Sequence, residues 1–182
     1  MIAETIKFVL SNVSTIMFVM AIIIASLTRG FNSTSERYLA WLLLLAVGVS
    51  AIWAAIFHIF FPSIASAQIG WSVSPFEFEV GVADLALGII AVIAFWRSLS
   101  FQSAVATYAL VFYVGVIFGH LYQAYAHANF SPDNFGVLLL VTVLRAALLG
   151  WLLHAAWRHR NATRMTMPSA TAAQTGLRPD TR

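Results

Sequence analysis

Cysteine is absent from the 182 residues, so the chain has no disulfide, no thiolate-held zinc or iron–sulfur cluster and no c-type haem attachment. Charge is scarce as well: 9% of residues are Asp, Glu, Lys or Arg, against about 25% in a soluble domain. Water is therefore excluded as the main solvent. There is no glycine-rich phosphate loop, no His-Glu-x-x-His and no recognised nucleophile motif, which leaves no catalytic class to start from. The net charge of +3 is concentrated at the ends of apolar runs and in the C-terminal tail, which does not make a nucleic-acid surface.

What is present is apolar sequence, 60% of the chain, arranged in blocks of about 20 residues, the length of a helix that crosses about 30 Å of hydrocarbon. The expected fold is an all-α polytopic membrane protein with five transmembrane helices, at 8–27, 38–61, 78–96, 103–126 and 135–157. Spans two to five are expected to form a four-helix bundle with the N-terminal span beside it. The transmembrane domain is read as 1–160 and the Thr/Ala/Ser/Pro-rich remainder, 161–182, as a disordered cytoplasmic tail whose arginines touch anionic lipid. The first run is too long for a signal-peptide core and lacks a small-residue cleavage site, so it is read as a retained span.

Under five spans, Arg29, Arg37, Arg97, Arg158, Arg160 and Arg164 fall on one side and Lys7 alone on the other. Because basic residues near span ends stay in the cytoplasm, the N-terminus is expected outside and the C-terminus inside. The loop from His58 to Glu79 holds no basic residue and is too apolar to be a free loop, so it is expected to fold against the interface. Within it Ser74-Pro75-Phe76-Glu77 reads as a helix start, with Ser74 as cap and Glu77 completing a capping box. Ser131-Pro132-Asp133-Asn134-Phe135 opens the fifth span in a similar way, which points to two related hairpins.

The polar residues of the spans gather toward the outer side. His120, Gln123 and His127 share one face of the fourth span, which Tyr113 extends, while Glu77 and Asp84 share a face of the third with Glu79 offset. At about 1.5 Å of rise per residue, Asp84 and His120 each lie about 9 Å inside their outer span ends and Arg145 about 15 Å. Those depths predict an internal ion pair between Asp84 and Arg145, since a lone charge in a span costs about 3 kcal/mol or more. His58, Glu79, Asp84, His120 and Gln123 are the expected ligand-binding set. His154 and His159 belong to the inner interface, and His127 can end in the loop.

The wording His58 to Pro62, Ile69-Gly70-Trp71-Ser72-Val73-Ser74-Pro75-Phe76-Glu77-Phe78-Glu79, Gly119-His120-Leu121-Tyr122-Gln123 and Asn129-Phe130-Ser131-Pro132-Asp133-Asn134-Phe135-Gly136 resembles a family of small bacterial integral membrane proteins of unknown function. The resemblance runs from the second span to the fifth, leaving out the first span and the tail. It implies a bacterial cell-membrane location and supplies no activity or cofactor. Three readings stand. The leading one is a non-enzymatic membrane protein whose outer-half site binds a small ligand, a metal ion or a proton. A membrane oxidoreductase would use haem, metal or quinone at the same residues, with His58 and His120 as axial ligands or His120 and Gln123 on a quinone. An accessory subunit would use the polar residues for packing alone, in a homo-oligomer or a larger complex in the bilayer.

Overall fold

Residues 1–166 are described by the structure, a computed structural model, and every regular element in them is helical. Helices α1 (Ile2–Ser11) and α2 (Val13–Leu27) meet at Asn12 with a bend of 71°. The Asn12 side chain donates to the carbonyl of Phe8 at 2.8 Å, beside the Asn12 amide that donates to the same oxygen at 3.1 Å, a local side-chain to backbone bond at the bend. A rod from Thr34 to Phe60 follows, made of α3 (Thr34–Trp41), a π-helical stretch (Leu42–Val49) and α4 (Ser50–Phe60). Ser33 caps its start by accepting from the Glu36 amide at 3.1 Å. Within the widened turns, Ser50 Oγ donates to the carbonyl five residues back, at Leu45. Short α5 (Pro62–Ile69) begins on proline and stops at Gly70, whose φ of 71° is a left-handed conformation natural to glycine. Then come α6 (Phe76–Ala94), α7 (Leu99–His127) and α8 (Val137–Thr166).

The rod and α6 form the tightest seam, because α6 brings small residues to it. Glu77, Gly81, Asp84, Leu87, Gly88, Ala91 and Ala94 are its buried residues, and they fall at three- and four-residue intervals along one face. Opposite lie Gly48, Ile52 and Ile59. A Cβ added at Gly88 would sit 2.9 Å from the Ile52 nitrogen and 3.0 Å from the Gly48 carbonyl oxygen, so the two backbones approach as in small-residue membrane seams. The other face of α6 exposes Phe78, Val82, Leu85, Ile89 and Ile93. On this helix two of the three acids, Glu77 and Asp84, point inward, and most of the large apolar groups point outward. Helix α7 packs along α8, and Leu39, Leu43, Val47, Ala106, Ala109 and Leu149 belong to the common core.

Among the described residues three helices are long and apolar enough to cross a membrane, Thr34–Phe60, Leu99–His127 and Val137–Thr166, and a fourth crossing arises if the bent α1–α2 pair counts as one. The span expected at 8–27 is broken in the structure: α2 has 15 residues, which at about 1.5 Å each is shorter than about 30 Å of hydrocarbon, so a crossing here takes the bent pair. Helix α6 stands outside those three because Glu77, Glu79 and Asp84 all fall in its 19 residues. At the other end, α8 runs through Arg158 and Arg164 to Thr166. The expected disorder from residue 161 is therefore wrong for 161–166, and the rest of that tail lies outside the described residues. The likeness of the two Ser-Pro openings does not extend to the backbone: α6 starts directly after Pro75, whereas α8 starts five residues after Pro132.

Candidate functional site

A cavity of about 460 Å³ opens near the end of the bundle that carries α5, between α1, α4, α5 and the start of α8. Its wall is mostly apolar, with Leu10, Trp53, Phe57 and Leu138, and its polar residues are Ser11, His58, Gln68 and Asp133. That size and mixture suit a small amphipathic molecule. His58 is oriented from behind. Its Nδ1 lies 3.3 Å from Glu77 Oε1, and the other Glu77 oxygen accepts from Ser66 Oγ. Glu77 is 9% exposed and, as a carboxylate, only accepts, so Nδ1 of a neutral His58 carries the hydrogen and Nε2 keeps a free lone pair. Gly81, one turn along α6, permits this: a Cβ there would sit 3.0 Å from His58 Cβ.

Beside the cavity, the two loops at this end lock together. Asn129 donates to the carbonyl of Ile69 at 2.8 Å, and the Asp133 amide donates to the carbonyl of Gln68 at 3.4 Å. A side chain on Gly70 would collide with Ser131 and Asn129. Asn134, fully buried, donates through Nδ2 to the carbonyls of Asn129 at 2.7 Å and His120 at 3.3 Å. Its Oδ1 therefore accepts from His120 Nδ1, 2.8 Å away. The Trp71 ring lies against His120 with centroids 5.8 Å apart. Burial raises the Asp133 carboxyl above its ordinary pKa, and His120 nearby pulls it back down.

Deeper, Arg145 is 3% exposed. Its guanidinium donates to Tyr113 Oη at 3.2 Å and to Ser14 Oγ at 2.7 Å, and it sits over the Tyr113 ring at 5.2 Å. Its Nε is buried without a partner among the described residues. The expected Asp84–Arg145 ion pair is not formed: among the described residues no carboxylate lies within 4.0 Å of Arg145. The physical reason is that the Arg145 guanidinium is turned to the Tyr113 and Ser14 hydroxyls instead. Arg145 thus ties α2, α7 and α8 through neutral oxygens.

The five expected ligand residues do not share one cavity. His58 lines it; Glu79 is exposed on the opposite side of α6 from Glu77; Asp84 is 6% exposed on the buried face of α6; His120 is held by Asn134; Gln123 is half-buried on α7. Glu77, expected to cap α6, makes no side-chain cap and serves His58 instead. The seven-residue spacing of Glu77 and Asp84 was the signal that it faces inward. Ser66, Gln68, Asp133 and Asn134 were not in the expected set, although the last two lie in the wording of the resemblance. Among the described residues no three His, Asp or Glu side chains converge as a metal would require.

These features define a protein whose regular elements, among the described residues, are all helical, with helices long and apolar enough to cross a membrane, Glu77 and Asp84 turned into its interior and a cavity near one end. The chain belongs to the family of unknown function DUF6790, whose description matches residues 11–162. That match reaches back into the first apolar run, which the resemblance had left out. No curated protein and no solved structure matches the chain.

Proposed function

We propose that the protein is a five-span bacterial cell-membrane protein that binds a small amphipathic molecule in the cavity beside His58. The inside-out pattern of α6 supports the fifth span: buried Glu77 and Asp84 with exposed Phe78, Val82 and Ile89 suit a helix whose outer solvent is lipid. The loops at 28–33 and 96–98 meet the end of α8 at one end of the bundle, and those at 61–75 and 128–136 meet at the other. The six arginines at the first end make it the cytoplasmic one, so the cavity opens toward the outside.

The carrying observation is His58 on an apolar wall with Glu77 behind it. The free Nε2 and the Asp133 carboxylate accept hydrogen bonds, so the polar end of the ligand is a donor, such as a phenolic hydroxyl. Glu79, Asp84, His120 and Gln123 lie outside the cavity lining and do not touch the ligand. No enzymatic step is assigned. The test follows thermal unfolding of detergent-purified protein with an alkylphenol, an alkyl-benzoquinone and zinc ions. A ligand that binds the folded state alone at a hundred times its Kd stabilises by about 2.7 kcal/mol. Alkylphenol should raise the unfolding temperature of the wild type and of His154→Ala, and His58→Leu should abolish the rise. Zinc acting alone would favour the metal reading; no response to any probe, with stable co-purification of other subunits, would favour the accessory one.

A further inference from the structure

At the opposite end of the bundle a second groove, of about 520 Å³, lies between the last turns of α8 and the loops before α3 and α7. His159, Arg160, Thr163 and Arg164 form one wall, and Asn32, Glu36 and Ser98 stand across from them. We propose that this groove binds a phosphate group, supplied by an anionic lipid headgroup. The inference is independent of the His58 cavity and rests on the membrane-spanning part of the reading above.

Four observations carry it. The wall holds two arginines and a histidine on successive turns of one helix, while the single acid, Glu36, is 9% exposed and already accepts from Asn32 Nδ2 at 2.8 Å. Among the described residues no carboxylate lies within 4.0 Å of Arg160 or Arg164, so their charge is not neutralised internally. Arg160 is set in place, over the Trp157 ring at 5.2 Å and with Nη1 3.5 Å from Ser100 Oγ, which aims its guanidinium at the beginning of α7. Ser98 is the residue before that helix and makes no side-chain cap, leaving its hydroxyl and the first amides of α7 as further donors. Arginine suits phosphate because its planar donors match the oxygens.

The depth selects lipid over a solute. Trp157 and Trp96 lie at this same end, and indole rings settle at the headgroup level. A phosphate at the height of Arg160 is then that of a phospholipid, with its acyl chains continuing along the exposed apolar surface of the bundle. This is a defined groove in the folded helix, distinct from any loose attraction of the tail.

The experiment measures binding of phosphatidylglycerol to the full chain in a neutral detergent by thermal stabilisation, with phosphatidylcholine and inorganic phosphate as parallel arms. Phosphatidylglycerol should stabilise the wild type at concentrations where the other two do not. At about 1 kcal/mol per basic residue near an anionic surface, the affinity should fall about fivefold for Arg160→Gln or Arg164→Gln and about thirtyfold for both. Arg97→Gln, at the same end but outside the groove, should keep the wild-type response and controls for general surface charge. Equal losses in Arg97→Gln and the groove variants would overturn the proposal, as would an undiminished response in the double variant. A response to inorganic phosphate that phosphatidylglycerol does not exceed would overturn the lipid source. The alkylphenol response at His58 should survive in the groove variants, so failure of one site is separable from failure of the other.

Discussion

Replacing Gly88 by alanine adds one methyl group at the closest approach of α6 to the second span. Its Cβ would lie 2.6 Å from Ile52 Cγ1, 2.9 Å from the Ile52 nitrogen and 3.0 Å from the Gly48 carbonyl oxygen. The side-chain contact can relax by rotation of Ile52, but the two backbone contacts cannot. Restoring ordinary separation needs the helices to move apart by about 0.5 to 1 Å, a gap at which neighbouring contacts lose a quarter to a half of their attraction. Overpacking of this kind costs about 1 to 3 kcal/mol. The helix propensity of alanine offsets about 0.5 to 1 kcal/mol of that. A net loss of up to about 2.5 kcal/mol, centred near about 1, is expected from these two effects. Thermal unfolding in detergent measures it against two controls, Gly115→Ala and Gly119→Ala, where an added Cβ meets nothing within 4 Å. Those should be neutral or slightly stabilising. Equal behaviour of all three variants would refute the close seam.

Asn134→Ala should cost about 3 kcal/mol, since it removes three hydrogen bonds at about 1 kcal/mol each from a fully buried site; a loss under about 1 kcal/mol would mean that the two loops are not locked there. Arg145→Met and Ser14→Ala should be non-additive, because they remove two ends of one 2.7 Å bond; a double-mutant cycle that closes to zero would separate them. The raised pKa of Asp133 predicts a pH effect of definite sign. The folded state holds this proton more tightly than the unfolded chain, so stability from this group is greatest below the ordinary value of 3.8 and declines as pH rises through the folded-state pKa. Across that window the unfolding temperature of the wild type should fall relative to Asp133→Asn; a rise would mean that His120 outweighs burial.

Composition and spacing determined that the chain is helical, with helices long and apolar enough to cross a membrane, because runs of about 20 apolar residues can satisfy their backbone in lipid only as helices. The helix start near Phe76, the folded segment before it and the inward face shared by Glu77 and Asp84 were also legible, since capping and helical period are local properties. The break at Asn12 and the continuation of α8 through its arginines were not, because apolar runs do not report bends and a charged helix end looks like a tail. The site depended on tertiary structure for a further reason. Depth along a span can be counted from residue numbers, but rotation of one helix against another cannot, and rotation decides which polar side chains meet. It gave His58 the carboxylate of Glu77 in place of Glu79, turned Arg145 to Tyr113 in place of Asp84, and turned Asn134 toward His120. The small residues of α6 are visible in the sequence; that Gly81 lies against His58 and Gly88 against Ile52 exists only once the two backbones have come within reach.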